Sequence, residues 1–401
     1  METRRMFAEW YSIQKPISES WLHDLHSHPE TGFEETRTAA FVASRLTEFG
    51  YEVATGLGGT GVVGTLHGAG ASDAAPGRRI GFRAELDALP MAEEADVPYR
   101  SKVEGRFHGC GHDGHTVTAL TAAAYLAHSP DFEGTVHFIF QPAEELLTGA
   151  RAMLADGLFE RFPCDEIYAL HNLPGLPAGK VGIPSAAAMA SADNIDVTIR
   201  ANGAHGSMPH TGEDAIAAAS AFIGLVQQTS TRIIDAREAG VISFGVLTGG
   251  TARNVLPAEV SIEGTMRTNA PEIRDRLATL LQEAATAAEH LYGVAVELQV
   301  TKVAPVTINN SDAVAAVTAS ARRVAGADKV IADARNLMAS EDFSEFLNRV
   351  PGSYFFIGQD GRAPHHPEFV FDPSVIPLGA AIFADLAKSR TRGVPDPHPQ
   401  A

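Results

Sequence analysis

An α/β protein of two domains is what this sequence predicts, and three features predict it. Its 401 residues exceed what a single hydrophobic core usually organises. Up to about residue 182, short apolar runs alternate with helical patterns, as in a sheet covered by helices on both faces. From 183 to 302 the pattern reads strand over 194–201, helix over 214–234, strands over 241–247 and 259–268, helix over 271–292 and strand over 295–303. That is the β-α-β-β-α-β order of ferredoxin-like folds.

Taken in chain order, His23, His26 and His28 precede the first strand and belong to a helix end. A structural role is expected for them despite their look of a metal cluster. Gly56-Leu57-Gly58-Gly59-Thr60-Gly61 satisfies a dinucleotide fingerprint in letters only. The following Val62-Val63-Gly64-Thr65-Leu66 reads as strand where the fingerprint needs a helix, so a hairpin turn is expected. The partly alternating run Arg79-Ile80-Gly81-Phe82-Arg83-Ala84-Glu85-Leu86 reads as a strand ending in Asp87, which serves equally well as a turn-forming acid before Pro90.

Gly109-Cys110-Gly111-His112-Asp113-Gly114-His115 packs a thiol and two imidazoles into a glycine-rich loop. A turn can aim a thiolate and an imidazole two residues apart at one ion, and glycines permit the sharp backbone this needs. A flexible turn that happens to hold histidines is the bland alternative. Val136-His137-Phe138-Ile139-Phe140 reads as a buried strand, and Gln141-Pro142-Ala143-Glu144-Glu145 follows with Pro142 placed to start a helix. Neighbours on a helical turn diverge by about 100°, so Glu144 and Glu145 can flank one site in different roles. Acids placed favourably at a helix N-terminus would explain the pair as well. Ile167-Tyr168-Ala169-Leu170 is another buried strand, ending in His171-Asn172. After the strand-like Tyr354-Phe355-Phe356-Ile357, Ala363-Pro364-His365-His366-Pro367 offers two more imidazoles, either of which suits an ordinary loop. All these candidates fall at or just after C-terminal strand ends, where open α/β sheets gather ligand sites.

On these residues the chain resembles the M20 metallopeptidase and amidohydrolase superfamily, in the branch of N-acyl-amino-acid, hippurate and auxin-conjugate hydrolases. The resemblance runs from about residue 26 to 372. It rests on His28-Pro29-Glu30-Thr31-Gly32-Phe33-Glu34-Glu35, Arg83-Ala84-Glu85-Leu86-Asp87-Ala88-Leu89-Pro90, Cys110-Gly111-His112-Asp113-Gly114-His115-Thr116, Phe140-Gln141-Pro142-Ala143-Glu144-Glu145 and His205-Gly206-Ser207-Met208-Pro209-His210. It implies a two-metal site with Cys110, His112, Glu145, His171 and His365 as ligands, Cys110 bridging. His365 is preferred to His366 because the family's ligand opens a His-x-Pro pattern. Glu144 would be the general base, and Asp87 resembles the residue that orients His112.

A metal pair both lowers the pKa of a bound water and polarises the carbonyl, which is what hydrolysis of an unactivated amide requires. Glu144 would take the water's proton and pass it to the departing amine. Zinc, manganese, cobalt and nickel all suit a set of thiolate, imidazoles and carboxylates. With His365 beyond the 183–302 segment, the catalytic domain becomes discontinuous, a helix-covered mixed sheet built from 1–182 and 303–390. The inserted ferredoxin-like α+β domain at 183–302 would be a lid and dimer contact, and 391–401 a mobile tail. In the family, His205 resembles the residue that stabilises the oxyanion, often in the partner's site. Asn254 and Arg267 are weaker candidates for holding the substrate carboxylate. The chain departs from the branch at Leu146 and Leu147, where glycines commonly follow the paired glutamates.

The balance of 31 basic against 49 acidic residues gives a net charge of −18, which argues against nucleic acid or an anionic membrane and for small substrates. Only Cys110 and Cys164 are present, so a disulfide framework is not expected. No secretory apolar region follows Met1-Glu2-Thr3-Arg4-Arg5, and a cytoplasmic homodimer is the expectation. The expected reaction is metal-dependent hydrolysis of N-acyl amino acids. The rivals are a dipeptidase or biosynthetic deacetylase on the same scaffold, and a binding protein that keeps the ligands without turnover.

Overall fold

The computed structural model describes residues 2–71 and 77–392. Of the expected tail, only Thr391 and Arg392 are among them. The chain divides into two compact units, one of Met1–Ala188, Ile308–Arg335 and Asp342–Ala401, the other of Met189–Thr307 and Asn336–Glu341. The second unit therefore starts later than residue 183, ends later than residue 302, and takes in a distant strip. The strip joins through backbone hydrogen bonds, Ala190 N donating to Leu337 O (3.1 Å) and Ala339 O (2.8 Å).

The first unit is built on an eight-stranded mixed sheet. In spatial order its strands are Glu52–Leu57, Gly61–His67, Thr135–Gln141, Arg79–Glu85, Glu166–Pro174, Gly352–Gln359, Val181–Ile183 and Val330–Ala332. The four central strands are mutually parallel, so their C-terminal ends open on the same side. Every residue of Thr135–Gln141 is buried. Because successive side chains point to opposite faces, both faces must be covered. The helices His112–His128 and Val375–Arg390 contribute to the core with Leu120, Ala123, Ile382 and Phe383, packed with Phe82, Phe138 and Tyr168 of the sheet. The Gly56 to Gly61 stretch forms the hairpin turn between the first two strands.

The second unit carries an antiparallel sheet in the order Gly240–Gly249, Glu259–Thr268, Ala192–Arg200, Ala295–Ala304. Helices Ala215–Ile233 and Pro271–Tyr292 complete a β-α-β-β-α-β unit. Ala215, Ala218, Ala219, Phe222 and Val226 fall at helical i, i+3, i+4 spacing and are buried against Ile195, Val197 and Ile262. Ala284, Ala285 and Ala288 of the helix Pro271–Tyr292 are buried in the same cluster.

Candidate metal centre

The centre sits where the parallel strands end. The helix His112–His128 begins beside the strand Arg79–Glu85, and its N-cap residue Gly111 has φ 94. A Cβ there would lie 2.5 Å from Asn172 Oδ1, so this position needs glycine for both conformation and space. Gly114 is constrained by space alone, since its Cβ would fall 2.4 Å from the Phe371 ring. These two glycines let Cys110 and His112 reach the strand end that carries His171.

Two groups of donor atoms share Cys110. Cys110, His112 and His171 form one and Cys110, Glu145 and His365 the other, with the donor atoms of each within 4.8 Å of one another. Cys110 Sγ is 3.3 Å from His171 Nε2, and His365 Nε2 is 3.4 Å from Glu145 Oε2. Glu144 closes on the same space, with Oε2 3.8 Å from His112 Nε2. The donor set fits divalent cations on an observation within the protein: His112 Nε2 and Glu145 Oε1 are buried without a hydrogen-bond partner and lie 4.0 Å apart. Buried polar atoms left in this way are rare unless something binds them.

The surrounding hydrogen bonds set which ring nitrogen faces the centre. His112 Nδ1 lies 3.0 Å from Asp87 O and 3.2 Å from Asp87 Oδ1, so it donates there and leaves Nε2 with its lone pair. Asp87 Oδ2 accepts from Glu145 N at 2.9 Å, so one buried carboxylate steadies residues of both donor groups. His171 Nδ1 donates to Asn172 O at 2.6 Å, again freeing Nε2. His115 belongs to the same motif but is spent elsewhere: Nδ1 on Glu85 Oε2 at 2.9 Å and Nε2 beside Asn172 Oδ1 at 2.7 Å.

Burial raises the Cys110 thiol pKa, helped by the nearby Glu145. Burial works against a charged ring at His112, yet Cys110 and Asp87 outweigh it and hold its pKa well above the ordinary imidazole value. At His365, hydrogen bonds to Cys110 and Glu145 push it up to about 10. The negative field that raises the affinity of both rings for a proton is the field a divalent cation would feel. His171 goes the other way, lowered to about 3 by burial and by His115, which keeps it the neutral ring that ligation requires.

One local expectation is overturned. No helix starts at Pro142; Glu144 and Glu145 lie in a turn, and the helix Gly149–Ala155 begins only afterwards. Ala143 and Leu147 have φ 51 and 54, left-handed values that an α-helix excludes. His365, also left-handed at φ 65, donates its backbone N–H to Gly109 O at 2.8 Å, which seats it beside Cys110. His366 instead turns Nδ1 to the Glu368 N–H at 3.1 Å.

Sequence reasoning passed over Asn172, which ties His115 and accepts the His171 Nδ1–H hydrogen bond at its backbone carbonyl. Its place next to His171 at a strand end was the available signal. It also left out the buried set Arg83, Glu85, Gln141 and Asp342 beneath the centre, in which Gln141 Nε2 donates to Asp342 Oδ1 at 2.6 Å. His26 is structural, its ring held between Asp113 (2.7 Å) and Glu93 (3.1 Å). His205, Asn254 and Arg267 belong to the second unit. There His205 pairs with Val255, Gly206 N donates to Asn254 O at 2.8 Å, and Arg267 donates to Ser340 Oγ.

The model of peptidase family M20/M25/M40 matches residues 81–389. Hippurate hydrolase of Campylobacter jejuni is 38% identical over 366 residues, covering 91% of this chain and 94% of that protein. N-acetylcysteine deacetylase of Bacillus subtilis is 33% identical over 367 residues, covering 91% and 94%. The crystal structure of the Bacillus subtilis YXEP protein, a dinuclear metal-binding peptidase of the M20 family, matches with a TM-score of 0.83 at 30% identity, over 94% of this chain and 98% of that one. The chain belongs to peptidase family M20.

Proposed function

We propose that this M20 protein is a metal-dependent amidohydrolase that cleaves N-acyl amino acids to a carboxylic acid and a free amino acid. The observation that carries the reading is the pair of donor groups sharing Cys110, with the Glu144 carboxylate beside them. Cys110, His112 and His171 would hold one ion, and Cys110, Glu145 and His365 a second. Manganese, zinc, cobalt and nickel are all compatible with these donors. Bound ions would supply a water of lowered pKa and a polarised carbonyl.

The residues of the chain do the rest. Glu144 accepts the water proton at its carboxylate and returns it to the nitrogen of the departing amine. Asp87 orients His112 and the backbone of Glu145. His205 Nδ1 accepts from Ser207 N at 3.2 Å, which puts the proton of a neutral ring on Nε2. That tautomer supports His205 as a donor to the oxyanion, and Asn254 and Arg267 are assigned to the substrate carboxylate.

Leu146 follows Glu145 directly and is 53% exposed. Its side chain packs against Gly32, where an added Cβ would meet Leu146 Cδ1 at 2.9 Å, and the next residue, Phe33, is 41% exposed. Apolar surface beside the ligands favours an apolar acyl group over a charged one. The reading includes a homodimer through the second unit, supported by the exposed Val246 and Leu247 on its edge strand Gly240–Gly249. It also includes a cytoplasmic location, supported by two free cysteines. No described helix is long and apolar enough to cross a membrane.

The test is amino acid release from N-acetyl, N-benzoyl and indole-acetyl amino acids and from dipeptides, after chelation and again with manganese or zinc restored. Metal-restored cleavage of the acylated substrates is expected. Cleavage of dipeptides alone would move the assignment to a dipeptidase, and stoichiometric metal binding without turnover would move it to a binding protein.

A further inference from the structure

We propose that Glu35 is the positioning residue for the paired glutamates, its carboxylate holding the left-handed turn at Ala143 from which Glu144 and Glu145 continue. The inference rests on the reading of Glu144 as base and Glu145 as ligand.

Ala143 has φ 51, a conformation that a residue with a Cβ adopts only when its surroundings impose it. Ala143 is fully buried, and its N–H donates to Glu35 Oε1 at 2.9 Å. The other oxygen, Oε2, accepts from the Thr60 hydroxyl at 2.6 Å. Thr60 sits in the hairpin turn, which is itself held where Gly58 N donates to Asp156 Oδ2 at 2.7 Å. Glu35 thus connects a rigid hairpin to the catalytic turn.

Glu35 also forgoes the local use of its position. It is the N-cap residue of the helix Thr36–Glu48, yet its side chain makes no capping hydrogen bond. A buried carboxylate that turns from its own helix to a distant backbone N–H serves the distant site. Across the turn, Asp87 Oδ2 accepts from Glu145 N. The segment is therefore suspended between two buried carboxylates at N–H groups two residues apart, and Leu147 N closes it on Glu144 O at 2.6 Å. Glu35 is in neither donor group, so it acts through the turn.

The test compares Glu35→Ala, Glu35→Gln and Thr60→Val in the full chain, reading kcat, retained manganese after dialysis, and Tm. Glu35→Ala is expected to weaken metal affinity about ten- to hundredfold, with retained metal falling from two ions toward one because Glu145 serves only one of the donor groups. Its kcat falls in step. Glu35→Gln can remake both bonds, its carboxamide oxygen accepting from Ala143 and its NH2 group donating to Thr60 Oγ, so it is expected to recover most of the parent kcat and metal. Thr60→Val should lie between the two.

A Glu35→Ala variant with lowered Tm but parental kcat and metal content would overturn the proposal, because a merely structural residue behaves that way. A Glu35→Gln variant as damaged as Glu35→Ala would overturn it too. Should Glu35→Ala fail to fold, Thr60→Val decides, and parental kcat and metal retention there reject the role. Failure of the underlying reading is separately visible, since Glu144→Gln would then keep its turnover whatever Glu35 does.

Discussion

His112 and His365 both approach Cys110, but the protein holds them in opposite ways. The His112 side chain is 1% exposed, stands on the first turn of a helix, and has its distal nitrogen tied to Asp87. The His365 side chain is 55% exposed and rests on a left-handed loop residue whose seat is one backbone hydrogen bond to Gly109. His171 shares the first condition, being buried on a central strand; Glu145 shares the second, being carried by a strained turn. One half of the centre is preorganised by regular structure and the other is assembled from turns, so the two should respond differently to damage.

The largest effects are expected at the groups that both halves share. Glu144→Gln should lose turnover by about 10²–10⁴-fold while retaining metal, whereas Cys110→Ala, which removes the donor common to both halves, should lose metal. Equal metal loss in the two variants, measured by elemental analysis, would erase the separation of base from ligand.

The buried half should also respond to pH. Burial disfavours a charged His26, but hydrogen bonds to Asp113 and Glu93 prevail and raise it to about 9, so the ring clamps the first turn of the His112 helix. A raised imidazole contributes stability that is complete below about pH 6.5 and lost as pH rises through 9, here about 3 kcal/mol. Burial lowers His108 and His137 to about 4; their contribution is present above pH 6.5 and lost on acidification toward 4. Urea midpoints should therefore peak near pH 6.5. A midpoint unchanged from pH 7 to 9.5 would show that the clamp carries no charge.

Asp87→Asn keeps one side-chain acceptor where the carboxylate has two, so either Glu145 N loses its bond or His112 Nδ1 is left with the backbone oxygen of residue 87 alone. Titration calorimetry should find metal affinity about ten- to hundredfold weaker. Between the halves, His112→Ala leaves the buried Asp87 short of a partner and should lower the unfolding free energy by about 1–3 kcal/mol. His365→Ala, at an exposed position, should change it by no more than about 0.5 kcal/mol, and equal losses would contradict the contrast drawn above. A gain is expected at Leu147→Gly, where relief at φ 54 is partly offset by the unfolded-state entropy of glycine, for a net stabilisation under about 0.5 kcal/mol in chemical denaturation.

Much of this is legible in the sequence, and unevenly so. Strand ends could be read because apolar periodicity is local, and this placed Asp87, Cys110, Glu144, Glu145 and His171 near one rim. The hairpin at residues 56–61 was legible for the same reason. The turn after Pro142 was misread as a helix. Proline and two glutamates are good helix starters, and the features that override them, the Glu35 bond to Ala143 N and the Asp87 bond to Glu145 N, come from 108 and 58 residues away.

By itself the sequence determined the residue types, the alternation of strands and helices, and the family, since these depend on chemical identity and short-range spacing. Tertiary structure alone decided which donors are free. His112 and His115 are three residues apart on one helix. Yet His115 spends its ring on Glu85 and Asn172, 30 and 57 positions away, while His112 keeps Nε2 for the centre. The lone pair that remains after a buried ring has found its hydrogen bonds is set by what folding brings next to it, and no local pattern encodes that.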